Sequence, residues 1–568
     1  MRRMRSCTWI RRVASVGARR AASTAMVVGG LLLTSCQGRI GEQAGLADGP
    51  APSASGGPRP QPTVSTSPSP SPTAPGTPAA PVPLPAGVRR LTQRELTQAV
   101  EALLPGTGAP LDALPDDTRQ SDFTRNRAQI VDPIFAGALE SLAREAARVA
   151  IDQRWSEVVP CARGNTVDAA CVDSTLRTLA ERASRRPIEP EVLEALRAVY
   201  AVGVTEGDAR LGMRLVLEAL LQSPSFVYAR ELGGGATAGR VRLSGPELAE
   251  ALALLLTGAP PDVALVSAAT AGTLDTAAGR AAEARRLYAL PNARAHLART
   301  LLEWLRLDAL GDTAKDATTY PGYFALRPAM EAEAEALAEH AVEAPDTLGY
   351  YLSTVDAQLT PELAAFYGAP STSRVDPRRP GILTRAAFLA VYASPTESSP
   401  VRRGNALLKR LLCTDLPLPI ELMIQIVPPV PDPRLTTRQR YAQHSSDATC
   451  AGCHTRIDPL GFAFEGFDGI GQARTTENGQ TIDARAQIAA GTMAGDYDDH
   501  VALIARLAAD PTARACFARH VLRFAAATRQ ASLEDPLVDA AITRGGLSLL
   551  DVLLTYVESD SFATRTSP

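Results

Sequence analysis

The chain is poor in aromatic residues, and its first apolar run is too short to be a permanent transmembrane helix. Aromatic side chains make up 5% of its 568 residues. The apolar run, residues 26–33, falls well short of the roughly 20 residues that cross a bilayer. No basic tract follows the N-terminal arginines and the formal net charge is −3, which argues against a nucleic-acid partner.

Several enzyme signatures are also missing. The sequence contains no G-x-S-x-G, no H-E-x-x-H and no nucleotide-binding loop, so hydrolase and nucleotide-dependent functions are disfavoured. No repeat of fixed period is present. The hydrophobic fraction of 45% is ordinary for a globular protein, and the chain is long enough for several hydrophobic cores.

Alternating strand patterns are scarce, and helical spacing recurs instead. The capping boxes Thr92-x-x-Glu95 and Ser244-x-x-Glu247 predict two helix starts, and Gly258 predicts the end of the second helix. Leucines at helical spacing predict another helix over residues 211–221, and similar stripes cover residues 281–290, 295–307, 330–342 and 501–507. The expected fold class is therefore mainly α, with a multi-module helical body.

The N-terminal segment has the pattern of an export signal. Seven arginines lie within the first 20 residues, and the short apolar run ends in Leu33-Thr34-Ser35-Cys36. This ending resembles a bacterial lipobox, in which Cys36 is lipidated; the alternative is an ordinary signal peptide with an incidental cysteine. Gln37 favours the outer membrane. Residues 49–87 are rich in Pro, Ser, Thr, Ala and Gly, which predicts a disordered tether.

The most informative motif is Cys450-Ala451-Gly452-Cys453-His454. Its C-x-x-C-H spacing attaches a c-type haem, because two thiols can bond one haem while the adjacent imidazole ligates the iron. A zinc site and a redox disulfide use the same cysteine spacing. The export signal favours the haem, and we expect one covalent haem c. Asp458 or a nearby carbonyl would accept the ring N–H of His454.

Three phenylalanines lie at residues 462, 464 and 467, where they would cover a macrocycle or fill a small core. The sixth iron ligand has two leading candidates. Met493 lies in a Gly-flanked loop, and His444 lies near the end of a polar helix that opens at residue 436. His500 and Met423 are weaker candidates, and an open site is the remaining alternative. We expect a low-spin, six-coordinate iron that transfers electrons.

Four cysteines remain after lipidation and haem attachment, an even number that is typical of disulfides in an oxidising compartment. Their short separation favours a Cys161–Cys171 bond, which leaves Cys413 to pair with Cys516. Other pairings and free thiols stay open at this stage.

The chain resembles large exported bacterial proteins, typical of planctomycetes and myxobacteria, that string together domains of unknown function with a cytochrome-c-like motif. The stretches that carry this resemblance are residues 89–96, 183–187, 221–228, 359–368, 396–404, 411–413, 450–454 and 458–462. The resemblance implies haem binding and a Cys413–Cys516 pair, and it favours His444 as a ligand. The family often has Met in place of Ile457, so this position is no obligate ligand.

The resemblance and the composition together suggest a signal peptide (1–35), a lipidated tether (36–87) and five further modules: 88–155, 156–235, 236–375, a haem c-binding module at 376–478 and a C-terminal helical module at 479–568. The expected function is electron transfer or redox chemistry outside the cytoplasm by a lipid-anchored protein. If the protein is an enzyme, it is a haem-dependent oxidoreductase. The alternative is an anchored binding or assembly protein in which the motif is structural. Expected partners are the membrane, a redox protein and an extracellular substrate.

Overall fold

The computed structural model describes residues 80–108, 113–164, 166–237, 239–416, 432–446, 448–545 and 547–567. The predicted signal segment, the lipidated Cys36, most of the tether and Met423 lie outside these residues, as does the side chain of His444. The described residues form one compact unit that begins at Ala80. No helix among them is both long and apolar enough to cross a membrane.

The described chain is mainly α, as the sequence predicts. The α-helices are α1 (Gln93–Leu103), α2 (Pro133–Gln153), α3 (Trp155–Val158), α4 (Ala169–Ser184), α5 (Pro190–Glu206), α6 (Ala209–Leu221), α7 (Pro224–Val227), α8 (Gly245–Leu256), α9 (Val263–Thr270), α10 (Ala277–Tyr288), α11 (Pro291–Trp304), α12 (Tyr323–Glu343), α13 (Thr347–Ser353), α14 (Pro361–Tyr367), α15 (Ala386–Val391), α16 (Pro400–Ala406), α17 (Thr437–Ser446), α18 (Ala448–Phe462), α19 (His500–Ala509), α20 (Pro511–Ala526), α21 (Ala531–Thr543), α22 (Leu549–Glu558) and α23 (Asp560–Ala563). A π-helix, Leu407–Leu411, continues α16, and short 3-10 helices cover Thr273–Asp275, Leu307–Ala309 and Ile382–Thr384.

Both predicted capping boxes are confirmed. At the start of α1, the backbone N–H of Glu95 donates to the Thr92 hydroxyl at 3.1 Å, and the Thr92 N–H donates to the Glu95 carboxylate at 2.9 Å. At α8, the Ser244 N–H donates to the Glu247 carboxylate at 2.8 Å. Gly258 follows α8 with φ +64°, the left-handed conformation expected just after a helix end.

The strands are short and all pair antiparallel: β1 (Gly87–Arg90) with β2 (Tyr228–Glu231), β3 (Gly234–Thr237) with β4 (Arg240–Arg242), β4 with β9 (Thr564–Thr566), β5 (Thr476–Glu477) with β6 (Gln480–Thr481), and β7 (Ala486–Ile488) with β8 (Gly495–Tyr497). The 479–568 module was expected to be helical, and it also carries four of these strands, β6 to β9. Strands of two to four residues are too short to show an alternating pattern.

The structure corrects the end of the predicted tether. Leu84 is buried, and the backbone N–H of Thr566 donates to its carbonyl at 2.8 Å. The Ala86 N–H donates to the Thr566 carbonyl at 2.9 Å, and Val82 donates to Ser532. Proline-rich chain favours extended backbone, so the residues between the prolines can pair along a strand edge.

A continuous hydrophobic core joins most of the described chain, from Leu84 to Ala563. It includes Leu252 of α8, Phe388 of α15 and Phe464, which follows the cysteine-motif helix. The module boundaries stay predictions, because the structure packs residues from four of the five ranges into this shared core.

Candidate functional site

Helix α18 carries the whole C-x-x-C-H motif. Cys450, Cys453 and His454 lie at helical positions i, i+3 and i+4, which places them along one side of the helix. Both cysteines are half-buried, and neither takes part in a disulfide. The helix therefore presents two thiols and one imidazole side by side.

The predicted partner of His454 is in place. Its Nδ1 lies 2.9 Å from Oδ1 of Asp458, one turn further along the helix. The Asp458 residue is 2% exposed, and its second oxygen, Oδ2, has no hydrogen-bond partner among the described residues. A carboxylate at Nδ1 fixes the ring orientation and directs Nε2 toward a metal.

Helix α18 is held by a very close crossing with α16. A Cβ added at Gly461 would lie 1.9 Å from the Pro400 carbonyl oxygen, and one added at Gly404 would lie 2.0 Å from the carbonyl oxygen of Ile457. Only glycine at these two positions lets the backbones approach so closely. Gly404 and Gly461 lie within two of the sequence stretches that carry the resemblance, 396–404 and 458–462.

Arg403 ties the segment after α18 to α16. Its guanidinium is fully buried and donates to the carbonyls of Phe464, Phe467 and Asp468 at 2.9, 3.1 and 2.6 Å. It also lies 3.7 Å from the buried Glu465 carboxylate. Burial lowers the pKa of Arg403 to about 10 and raises the pKa of Glu465.

Glu465 also binds two other side chains. The Ser398 hydroxyl donates to its Oε2 at 2.8 Å, and the Arg474 guanidinium donates to the same oxygen at 3.0 Å. The chain before α16 and the chain after α18 are therefore joined by side chains as well as by the glycine crossing. The motif helix is fixed at its C-terminal end.

The three phenylalanines belong to the protein core. Phe464 and Phe467 pack against His500, with ring centroids 5.9 and 4.9 Å apart. Phe462 packs under the Arg438 guanidinium at 4.5 Å. The Nε2 of His500 lies 2.7 Å from the Arg378 carbonyl, and burial lowers the pKa of this histidine. His500 thus has a structural partner of its own.

Both leading candidates for a sixth ligand lie on segments next to α18. His444 is on α17, which packs against α18. Met493 lies between β7 and β8, and β7 also packs against α18. The Met493 side chain is buried, and its carbonyl accepts a hydrogen bond from the Tyr497 hydroxyl at 2.9 Å. The described geometry brings both segments to the motif helix and does not choose between them.

The structure contains both disulfides, Cys161–Cys171 and Cys413–Cys516. Disulfides persist in oxidising compartments, so the pair indicates an exported protein. Sequence reasoning missed His520, which is buried beside the Cys413–Cys516 bond. Its signal was the spacing from Cys516: both residues lie on α20 four positions apart, and therefore on one face.

Four protein families match successive stretches of the chain. They are described as "Protein of unknown function" DUF1587 over residues 89–152, DUF1595 over 171–231, DUF1592 over 243–369 and DUF1588 over 379–477. The matches support a multi-domain family of unknown function. The DUF1588 match carries the label PSCyt3 and contains the C-x-x-C-H motif and both helices of the glycine crossing. No curated protein and no solved structure matches the chain.

Proposed function

We propose that this protein is an exported, lipid-anchored cytochrome that binds one covalent haem c and transfers electrons outside the cytoplasm. The observation that carries the proposal is the C-x-x-C-H motif on one helix, with the Nδ1 of His454 held by a buried aspartate at 2.9 Å. The PSCyt3 label of the matching family supports a cytochrome-like module. The two disulfides support export.

The donor set fits a c-type haem. Cys450, Cys453 and His454 supply two thiols and one imidazole in the spacing that attaches this haem. When bound, the haem would supply one-electron iron chemistry. Cys450 and Cys453 would hold it covalently, and His454 would be the proximal iron ligand.

The rest of the segment would fix that geometry. Asp458 holds the ring of His454 in one orientation, and a carboxylate in this place makes the imidazole a more basic ligand. The Gly404–Gly461 crossing and Arg403 prevent α18 from shifting relative to the body. A rigid site keeps reorganisation small, as electron transfer requires.

Covalent attachment is tested by expression in a strain that has haem-attachment machinery. The purified protein should keep a haem stain after boiling in detergent, and the Cys450→Ala/Cys453→Ala variant should lose it. The Cys161→Ser/Cys171→Ser variant is the matched control, because it also removes two cysteines and should keep the stain. A colourless wild-type protein with one zinc per chain would refute the proposal.

The role of Asp458 is tested through the reduction potential. Asp458→Asn keeps an oxygen acceptor for the His454 N–H and removes the negative charge. We expect the haem to remain attached and its potential to rise, because the less basic imidazole stabilises the ferric state less. An unchanged potential would show that Asp458 does not act on the ligand.

The sixth ligand is tested by spectroscopy of the ferric protein. Methionine ligation gives a weak far-red band, which Met493→Ala should remove. If His444 is the ligand, His444→Ala should instead abolish low-spin character while Met493→Ala leaves it. A high-spin wild-type spectrum with rapid cyanide binding would contradict the electron-carrier proposal and would favour a haem enzyme.

Anchoring through Cys36 completes the proposal and rests on the lipobox pattern. Cys36→Ala should move the protein from the membrane fraction to the soluble fraction. A wild-type protein that is soluble with an unmodified N-terminus would remove the anchor and leave the haem proposal unaffected.

A further inference from the structure

A second cluster of metal-ligating side chains lies beside the Cys413–Cys516 disulfide. Both sulfur atoms and a ring nitrogen of His520 lie within 4.8 Å of one another. Cys413 and His520 line a pocket of about 200 Å³, whose other walls are Ser121, Asp122, Lys409, Asp415, Arg523 and Arg529. The Oδ2 atom of Asp122 lies 3.8 Å from Nδ1 of His520.

His520 is buried without the partners that a buried imidazole needs. The residue is 2% exposed, and neither ring nitrogen has a hydrogen-bond partner among the described residues. The backbone of Lys409 faces the ring, short of hydrogen-bond geometry. Leaving a buried polar group unsatisfied costs roughly 1–3 kcal/mol. His520 therefore brings to the pocket an imidazole with no hydrogen-bond partner among the described residues.

Backbone strain is concentrated in the same place. Ser121, Asp122 and Cys413 all line the pocket and have positive φ angles of 53°, 80° and 47°. Each such residue costs on the order of 1–3 kcal/mol, and strained residues cluster at functional sites. The π-helix Leu407–Leu411 ends just before Cys413, and π-helices are also frequent at such sites.

We propose that Cys413, Cys516 and His520 form a binding site for a zinc-class divalent cation when the two cysteines are reduced. The disulfide is then the oxidised, metal-free state of the same site. Two thiolates and one imidazole are a typical zinc donor set. The Asp122 carboxylate is the fourth candidate ligand, and Cys516 and His520 offer their atoms from one face of α20.

The change between the two states balances through a dithiol reductant. The reductant loses two electrons and two protons and closes its own disulfide. The Cys413–Cys516 disulfide accepts the two electrons and two protons, and its S–S bond breaks to give two thiols. Binding of the divalent cation then releases two protons as the thiols become thiolates.

The pocket has a route for such reagents. Asp415 and Arg529 line it and form an ion pair at 3.1 Å, with side chains 54% and 58% exposed. Exposed ion pairs are weak and exchange readily with solvent. The pocket therefore has a solvent-exposed side next to the half-buried Cys413.

The test uses the full-length chain with Cys450→Ser and Cys453→Ser, so that neither haem nor the motif thiols contribute. The protein is reduced with a phosphine and titrated with cobalt(II). We expect one equivalent of cobalt(II) to give thiolate charge-transfer bands and tetrahedral ligand-field bands. Zinc should displace the bound cobalt and remove these bands. The oxidised protein should give no bands. Zinc content of the haem-loaded, reduced wild-type chain gives a second measurement that does not depend on the serine substitutions.

Three variants separate this site from any other. Cys413→Ser/Cys516→Ser should abolish the bands, and Cys161→Ser/Cys171→Ser should keep them. His520→Ala should weaken binding more than about 100-fold, since even outer-shell partners of a ligand are worth roughly 10- to 100-fold. His520→Gln serves if the alanine variant does not fold. The proposal is overturned if the reduced protein binds no cobalt, or if the His520 variants bind it as tightly as the parent.

Discussion

Replacing Gly461 with alanine should force apart the two helices that fix the cysteine motif. The added Cβ would lie 1.9 Å from the Pro400 carbonyl oxygen and 2.5 Å from its carbonyl carbon, whereas ordinary contacts begin at 3.4 Å. The helices would have to separate by about 1.5 Å to restore normal contact. The obstacle is backbone, so no side-chain rotation can relieve it.

The expected loss of stability follows from two opposing effects. Overpacking a well-packed site costs about 1–3 kcal/mol, and a backbone obstacle places this substitution at the upper end. Alanine gains about 1 kcal/mol over glycine in helix propensity. The net loss is about 2 kcal/mol, or about a 30-fold increase in the unfolding constant.

Gly452 is a matched control on the same helix. No atom of the described residues lies within 4 Å of a Cβ added there, so Gly452→Ala should gain up to about 1 kcal/mol from helix propensity alone. Urea unfolding followed by circular dichroism under oxidising conditions should shift the two variants in opposite directions, by about 3 kcal/mol in total. If Gly461→Ala is as stable as the wild type while Gly452→Ala gains stability, the close crossing is wrong.

Three further predictions concern stability. Burial lowers the pKa of His296 to about 3 from 6.5. Between these two pH values only the unfolded chain binds a proton at this imidazole, so the free energy of unfolding falls as the pH drops below 6.5. His296→Leu should recover about 2 kcal/mol of the free energy of unfolding that the wild type loses between pH 7.5 and pH 5. Arg403→Lys should cost about 3 kcal/mol of stability, because buried carbonyls lose their donors. Arg402→Lys affects one hydrogen bond to a carbonyl and should cost about 1 kcal/mol or less. Equal urea midpoints for the two variants would contradict this difference. Removing the Cys161–Cys171 bond should cost about 3 kcal/mol by chain entropy, and unchanged thermal unfolding would contradict the expected role of that bond.

The sequence predicted the features whose causes are local. The capping boxes at Thr92 and Ser244 are each built within four residues, and both are present. The His454–Asp458 contact spans one helical turn, and Asp458 was one of the acceptors that the sequence offered for this ring. The short separation of Cys161 and Cys171 favoured the first disulfide, the family resemblance implied the Cys413–Cys516 pair, and the structure contains both bonds.

The features that the sequence could not predict depend on distant parts of the chain. Gly404 and Gly461 are required only because α16 and α18 cross closely in the fold, and the sequence does not reveal that crossing. Asp122 reaches His520 only because residues almost 400 positions apart meet in the fold. Residues 80–87 looked like tether because their composition is proline-rich, and their order depends on pairing with residue 566. Composition cannot report a partner that lies at the other end of the chain.

The pairing of residues 84–86 with Thr566 constrains the order in which parts of the fold can form during synthesis. Strand β9 also closes the sheet with β4, so these early segments find their partners only after the last described residues have been synthesised. During synthesis, residues 84–86 and strand β4 therefore stay without these hydrogen bonds until strand β9 has emerged from the ribosome.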